Sequence, residues 1–275
     1  MSLILEQTYK LLKERYQTRL EEIVISEVRI GSFLTAVRLS DNSTGTSATL
    51  AGDNPACAKS ERDFGDFTPL RIKGHTVLDI LELKKESGII SSLKTAVLNA
   101  VSSGIIASGN YKIIENCDPI RLLDLSSGKT ITIVGAFQSY IRKISESGNR
   151  LNVLELSENA LTSDQRKFFV PACEYDKVIP SSDIVIITGQ TLVNRTIDEL
   201  LAAVSPGTEV IVTGPSSGLL PDILFENKVT IIGTSRIIRP EILFDVVSEG
   251  GTGYHLFEYC AKKICILKSN GSQTE

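Results

Sequence analysis

The chain has 275 residues, enough for two ordinary domains or one large one. With 42% apolar and 23% charged residues it has the composition of a folded globular protein, not a disordered one. A formal net charge of −4 argues against broad binding to nucleic acid or anionic membrane, both of which need a basic face.

No window approaches the roughly 18 consecutive apolar residues of a membrane span. Residues 1–16 mix acidic and basic side chains, which interrupts the apolar core of a secretion signal, so a cytoplasmic location is expected. Cys57, Cys117, Cys173, Cys260 and Cys265 form no Cys-x-x-Cys pair, and His75 and His255 do not complete a soft-metal set. Reduced, semi-buried thiols are the expectation.

Leu5, Tyr9, Leu12, Tyr16 and Leu20 recur at spacings of four and three, which predicts an amphipathic first helix. Residues 23–30 and 33–39 read as strands joined around Gly31-Ser32, with 43–50 as the third strand of an antiparallel meander. Residues 51–73, rich in Gly, Pro, Asp and Ser, read as a long loop. Helices over 75–83 and 89–106 follow, parted by Glu86-Ser87-Gly88. The second has a broad apolar face and an uncharged polar one made of Ser92, Thr95, Asn99, Ser102 and Ser103. A helix turned to water normally carries Lys and Glu, so this polar face either meets another domain or is a small-residue packing face.

A boundary near Cys117-Asp118-Pro119 separates an α+β domain, residues 1–117, from a three-layer α/β domain, residues 118–275. In the second part, strands are predicted at 130–134, 151–156, 184–188, 209–213, 229–234 and 263–267. Helices are predicted around 139–145, 197–204 and 240–247, with a short helical turn at 221–225. Strand–helix alternation with short connections implies a Rossmann-like, mostly parallel sheet. Its centre is the stretch 182–218, where two β-branched runs, each ending in Thr-Gly, enclose an amphipathic helix as in a βαβ crossover.

Ligands of such sheets bind where strands end, at Thr188-Gly189, Asn194-Arg195-Thr196 and Gly214-Pro215-Ser216-Ser217. Gly135 ends the first strand as in a dinucleotide fold. However, Phe137 and Tyr140 stand where G-x-G-x-x-G requires glycine, so NAD and FAD are not expected. Glu155 follows Gly135 by 20 positions, the place of an acid that meets a ribose or other polar ligand; the alternative is a solvated carboxylate beside Glu158. Thr196 is an expected N-cap for the helix carrying Asp198 and Glu199, while Asn194 either orients a ligand or holds its loop in a turn. Gly214–Gly218 offers small donors and backbone N–H groups suited to carboxylate or phosphate, without the Gly-Lys-Ser/Thr of a phosphate loop or a G-x-S-x-G elbow at Ser216. Gly250-Gly251-Thr252-Gly253 reads as a flexible segment able to close over a site. His255 beside it is an acid/base candidate or merely a hydrogen-bonded ring.

Several blocks of the chain, taken in order, carry a family resemblance. In the first part they are Val28-Arg29-Ile30-Gly31, Thr35-Ala36-Val37, Gly74-His75-Thr76-Val77, Leu81-Glu82-Leu83 and Leu98-Asn99-Ala100. In the second they are Val134-Gly135-Ala136-Phe137, residues 183–189, Leu192-Val193-Asn194-Arg195-Thr196, Gly214-Pro215-Ser216 and Ser248-Glu249-Gly250-Gly251. Over almost its whole length the chain thereby resembles the domain-of-unknown-function family labelled "putative heavy-metal chelation". The resemblance implies an enolase-N-terminal-like α+β domain followed by a Rossmann-like one. Between them it implies a cleft formed by the strand ends and the helix carrying Asn99, and a role in handling metals or metal-chelating small molecules. Candidate ligand-binding residues are then Asn99, Gly135, Phe137, Glu155, Thr188, Gly189, Asn194, Arg195, Thr196, Gly214, Pro215, Ser216, Gly250 and Gly251. The chain departs from the family at Arg195, where a small residue is common, and in the loop at 51–73.

The leading expectation is a cytoplasmic small-molecule-binding protein, or an enzyme, whose interdomain cleft takes an anionic or metal-chelating ligand. Without clustered Cys and His, a metal ion would arrive with the ligand or bind mainly oxygen. The runner-up is a nucleotide- or S-adenosylmethionine-dependent transferase on the Rossmann-like half, favoured by Glu155. A third reading is a catalytically silent assembly protein that acts as a homo-oligomer. Neither nucleic acid nor membrane is an expected partner.

Overall fold

The computed structural model describes residues 2–50, 65–109, 111–126 and 128–268. Most of the loop expected at 51–73 lies outside the described residues, as does Cys57. Helix α1, Leu3–Tyr16, is capped by Ser2 and stops at Gln17, whose φ of 49° is left-handed; α2, Arg19–Glu22, follows. Strands β1 (Ile25–Ile30), β2 (Leu34–Leu39) and β3 (Thr44–Ala48) form the antiparallel meander that the alternation predicts. Thr76 and Asp79 cap each other's backbone amides to open α3, Val77–Glu82. Then α4, Gly88–Ser108, packs across β2 and β3.

The approach of α4 to β3 is close because Gly45 has no side chain. A Cβ there would lie 2.2 Å from the Ala96 carbonyl oxygen and 2.3 Å from the Ala100 amide nitrogen. By length and composition α4 is the one described helix able to cross a membrane, yet 78% of its apolar window is buried inside the fold.

The second sheet has eight strands. They are β4 (Lys112–Glu115), β5 (Thr130–Val134), β6 (Arg150–Glu155), β7 (Phe169–Pro171), β8 (Ile184–Thr188), β9 (Glu209–Thr213), β10 (Ile231–Ile237) and β11 (Ala261–Leu267). They lie in the order β4-β11-β10-β9-β8-β5-β6-β7. Strands β5 to β10 are parallel, while β11 runs antiparallel to both β10 and β4. Counted from β5, the parallel strands lie in the order 3-2-1-4-5-6, in which the ligand crevice of a doubly wound sheet opens where the order reverses, here between β5 and β8.

The central strands are unbroken apolar runs because both faces are covered. Ile184 and Ile186 join one core with Tyr140, Ile141 and Ile144 of α5, Gln138–Ser145. Val185 and Ile187 join the other, which continues without a break into α1 and α4, so the two sheets share a single hydrophobic core. The remaining helices are α6 (Tyr175–Val178), α7 (Gln190–Asn194), α8 (Ile197–Ala202), α9 (Pro221–Glu226), α10 (Pro240–Ser248) and α11 (Gly253–Tyr259).

Edge strands β4 and β7 and helices α7 and α11 were not expected from the sequence. The strands are too short to show alternation, and α7 follows β8 with only Gly189 between them. The segment 250–253 is not a flexible closing loop. Gly250, at φ 78°, and Gly251, whose amide donates to the Val246 carbonyl at 2.7 Å, finish α10. Thr252 and His255 then cap α11 reciprocally, the His255 Nδ1 accepting from the Thr252 amide at 3.1 Å.

Candidate functional site

Three recesses follow one another along the C-terminal edge of the parallel strands. The largest, a crevice of about 710 Å³, opens at the reversal of strand order and is bounded by the ends of β5, β6 and β8 and by α7 and α8. Gly135 takes φ 104° to make the turn after β5. Phe137, Leu154, Leu156, Tyr175 and Leu200 give apolar walls, and Glu155 and Glu199 are its only charged lining residues among those described.

The second recess is a cleft of about 400 Å³ where the small sheet meets the large one. Ala48 N donates to Ser216 Oγ at 2.8 Å, Thr46 Oγ1 to the Pro215 carbonyl at 3.2 Å, and Ser91 Oγ to the Val193 carbonyl at 2.5 Å. Asn99 Nδ2 donates both to Thr46 O at 2.7 Å and to Ser216 O at 3.0 Å, joining β3 to the turn after β9. The polar face of α4 is therefore a packing face toward β3 and a junction with the large sheet at once. Asn99 and Thr234 are 4% and 5% exposed, and Asn99 Oδ1 and Thr234 Oγ1 have no partner among the described residues. They converge beside Gly218, where an added Cβ would lie 3.3 Å from Thr234 Oγ1 and 3.5 Å from Asn99 Cγ. Ser102 Oγ and Gln165 Oε1 also lack partners, but neither residue lines one of these recesses.

The Asn99 amide can be oriented in only one way. Its nitrogen must face the two carbonyls, which leaves the oxygen as a buried acceptor. A buried acceptor with no donor costs about 1–3 kcal/mol. On the rim, Arg236 pairs with Glu115, and Asp41 stands among the residues of the β2–β3 turn. Among the described residues, no three His, Cys, Asp or Glu side chains gather into a group able to hold a metal ion.

Pro215, Thr234 and Ile264 line both the cleft and a third recess of about 470 Å³, which extends toward Phe137. Here the Tyr140 hydroxyl donates to Asp118 Oδ1, and Lys263 Nζ donates to Oδ2 at 2.6 Å. Burial alone would raise the Asp118 carboxyl, but the Lys263 and Tyr140 donors outweigh it and hold it below the usual carboxylate range. Burial, reinforced by the Asp118 charge, pushes the Tyr140 phenol up, so it stays protonated as a donor. Cys265 gives its thiol to the Cys117 carbonyl at 3.2 Å and is raised by burial; Cys260 is pushed up to about 11 for the same reason. Neither is poised as a nucleophile. Cys117, Cys173, Cys260 and Cys265 are all free thiols, Cys173 being exposed at the crevice.

The structure divides the residues selected from the sequence. Gly135, Phe137, Glu155, Thr188, Asn194 and Thr196 line the crevice, Asn99 and Pro215 line the cleft, and Gly214 lines the third recess with Pro215 and Phe137. Gly189 and Ser216 stand behind these walls. A Cβ on Gly189 would lie 3.0 Å from the Ser217 amide, and Ser216 is committed to the bonds between the sheets. Arg195, at φ 69°, pairs with Glu86 at 2.8 Å and lines none of the three, and Gly250 and Gly251 terminate a helix. Thr196 precedes α8 without capping it. Its hydroxyl donates to Asn194 Oδ1 at 2.8 Å, which also takes the Thr196 amide, so Asn194 holds the turn. Thr234 and Arg236 were missed, although Thr234 ends a predicted strand and the strand-end rule would have reached it.

Residues 118–266 match the DUF364 family and residues 13–102 the DUF4213 family, both described as "putative heavy-metal chelation". No curated protein matches the chain. A DUF364 protein of unknown function from Pyrococcus horikoshii shares the fold with a TM-score of 0.78 at 20% identity, over 97% of this chain and 100% of its own. A second, from Desulfitobacterium hafniense, shares it at 0.71 and 18% identity, over 94% of this chain and 100% of its own. With more than half its length matched, this chain belongs to the DUF364 family described as "putative heavy-metal chelation".

Proposed function

We propose that the chain binds a small polar ligand, free or as a metal complex, in the cleft between its two sheets. The observation that carries this is the convergence of Asn99 Oδ1 and Thr234 Oγ1 beside Gly218: two buried oxygens without partners among the described residues, on side chains that line a cleft a small molecule can fill. Since the Asn99 oxygen accepts, the ligand group that meets it is an N–H or O–H donor. An anionic part of the same molecule is better placed toward Arg236 on the rim.

The family description points to heavy metals, and the donor chemistry of the described residues does not fit a bare soft ion. The cleft offers hydroxyl, amide and carbonyl oxygens with the single carboxylate of Asp41, and among the described residues neither histidine nor cysteine lines it. The reading is therefore one of binding an organic chelator, with its metal attached where there is one, in a cytoplasmic protein of two domains parted near Cys117. No reaction step is assigned.

The test is thermal melting of the full chain with nickel ion alone, with histidine or citrate alone, and with each nickel complex. A complex or free chelator is expected to raise Tm in the native protein and to lose that effect in Thr234→Val, which keeps the shape of the site. If none of these probes moves Tm, or the rise survives in both Thr234→Val and Asn99→Ala, the proposal fails.

A further inference from the structure

The crevice at the strand-order reversal lies outside the cleft just proposed as a site, and no residue lines both. Its volume of about 710 Å³ falls within the range of small-molecule sites, and its position is the one at which doubly wound sheets hold ligands. Its chemistry differs from that of a dinucleotide site in two ways.

The first is charge. Glu155 and Glu199 are the charged lining residues, and among the described residues no Lys, Arg or His lines the crevice, so phosphate would meet two carboxylates and no cation from them. The second is the turn after β5. The Gly135 amide donates to the Leu154 carbonyl at 2.9 Å and the Phe137 amide to the Gly135 carbonyl at 3.0 Å, so two N–H groups of this turn are already bonded within the protein. The Phe137 side chain also occupies the position where a second glycine would let a pyrophosphate reach the backbone.

What the crevice offers instead is an apolar slot ending in an acid. Leu154, Tyr175 and Leu200 line it, and Leu156 lines it as well while 84% exposed. Glu155 Oε1 accepts the Leu156 amide at 2.7 Å, which fixes the carboxylate at the end of β6. Oε2 has no partner among the described residues, and a carboxylate in this place accepts from a vicinal diol. Apolar walls suit the faces of an aromatic base.

We infer that this crevice binds a nucleoside without phosphates, uncharged or bearing a cationic substituent, its ribose diol donating to Glu155. Glu199 at the rim favours the cationic form, of which S-adenosylmethionine is an available example. The inference stands independently of the cleft proposal.

Isothermal titration of the full chain with adenosine, 2′,3′-dideoxyadenosine, S-adenosylmethionine and ADP tests it. Adenosine is expected to bind, S-adenosylmethionine to bind more tightly, and dideoxyadenosine and ADP each to bind about tenfold more weakly than adenosine. Glu155→Gln should weaken adenosine about tenfold with Tm unchanged. Leu156→Ala, at a position that does not hold the fold, should weaken it a few-fold. The inference is overturned if no nucleoside binds, if ADP or the dideoxy compound binds as well as adenosine, or if adenosine affinity is unchanged in Glu155→Gln. Asn99→Ala should leave adenosine binding intact, so failure here is separable from failure of the cleft.

Discussion

The cleft and the crevice occupy one edge of one sheet but are assembled differently. Every described wall of the crevice comes from residues 134–200, from strand ends and from the turns and helices that follow them, on one sheet. The cleft needs residues from both sheets: the β2–β3 turn and α4 on one side, and the turn after β9 with β10 on the other. The difference appears in their polar atoms. In the crevice, hydroxyls and amides are satisfied locally, as Thr191 Oγ1 is by Thr188 O at 2.7 Å and Asn194 is by Thr196. In the cleft, packing two layers together buries Asn99 and Thr234 and leaves an oxygen of each without a partner among the described residues. A recess made within a layer can meet its own hydrogen-bonding needs, whereas one made between layers inherits whatever the packing strands.

Substitutions should separate the two regions, and the largest effect should fall at the junction. Gly45→Ala forces a methyl group into the backbone of α4, so it should cost about 3 kcal/mol or more and move β3 off the helix. Urea unfolding measures the loss, and a cost below about 1 kcal/mol would mean the layers are not as tightly fixed as described. Asn99→Ala strips the donors from two carbonyls at the junction and should cost about 2–4 kcal/mol.

Asp118→Asn comes next, with an expected loss of about 1–3 kcal/mol, because a charge-assisted acceptor of two donors is removed. The native Asp118 has a folded-state value below its ordinary 3.8. Its contribution is thus fully present above 3.8 and is lost as pH falls through the lower folded value. Comparing native and Asp118→Asn stability from pH 7 downward should show the gap closing only in acid; a gap that closes near neutrality would contradict the assignment.

Thr234→Val should reverse the sign. Removing a buried hydroxyl that has no partner among the described residues, while keeping the side-chain shape, is expected to raise stability by about 0.5–1 kcal/mol and to abolish cleft binding. A stable variant that has lost a ligand is a result that a merely structural Thr234 would not give. The smallest effect belongs to the crevice: Glu155→Gln, at a half-exposed strand end, should change unfolding free energy by less than about 0.5 kcal/mol while altering nucleoside binding.

Much of the fold could be read in advance because burial on both faces leaves long apolar runs. The strands over 130–134, 184–188 and 209–213 coincide with β5, β8 and β9. The meander and the two helices that follow it were equally clear, since alternation and helical spacing leave different patterns. Edge strands β4 and β7 escaped, being too short to carry a pattern and recognised only by the neighbour they pair with.

Site residues followed the same division. The strand-end rule reached Gly135, Glu155 and Thr188, which line the crevice together. It also drew in Arg195, Gly250 and Gly251, whose backbone geometry and ion pair serve the scaffold. Glycine at a helix end and glycine beside a ligand look alike in a sequence.

By itself, the sequence determined the long strands and helices, which faces they bury, and that a parallel sheet would present its strand ends as a binding edge. Those properties are local, set by side-chain periodicity over a few residues. Only the tertiary structure decided that α4 would lay Asn99 against the turn after β9, beside Thr234, and that the amides of Gly135 and Phe137 would be bonded to the Leu154 and Gly135 carbonyls. Whether a polar atom finds a partner depends on what packing brings within 3 Å of it, and no periodicity in the chain encodes that.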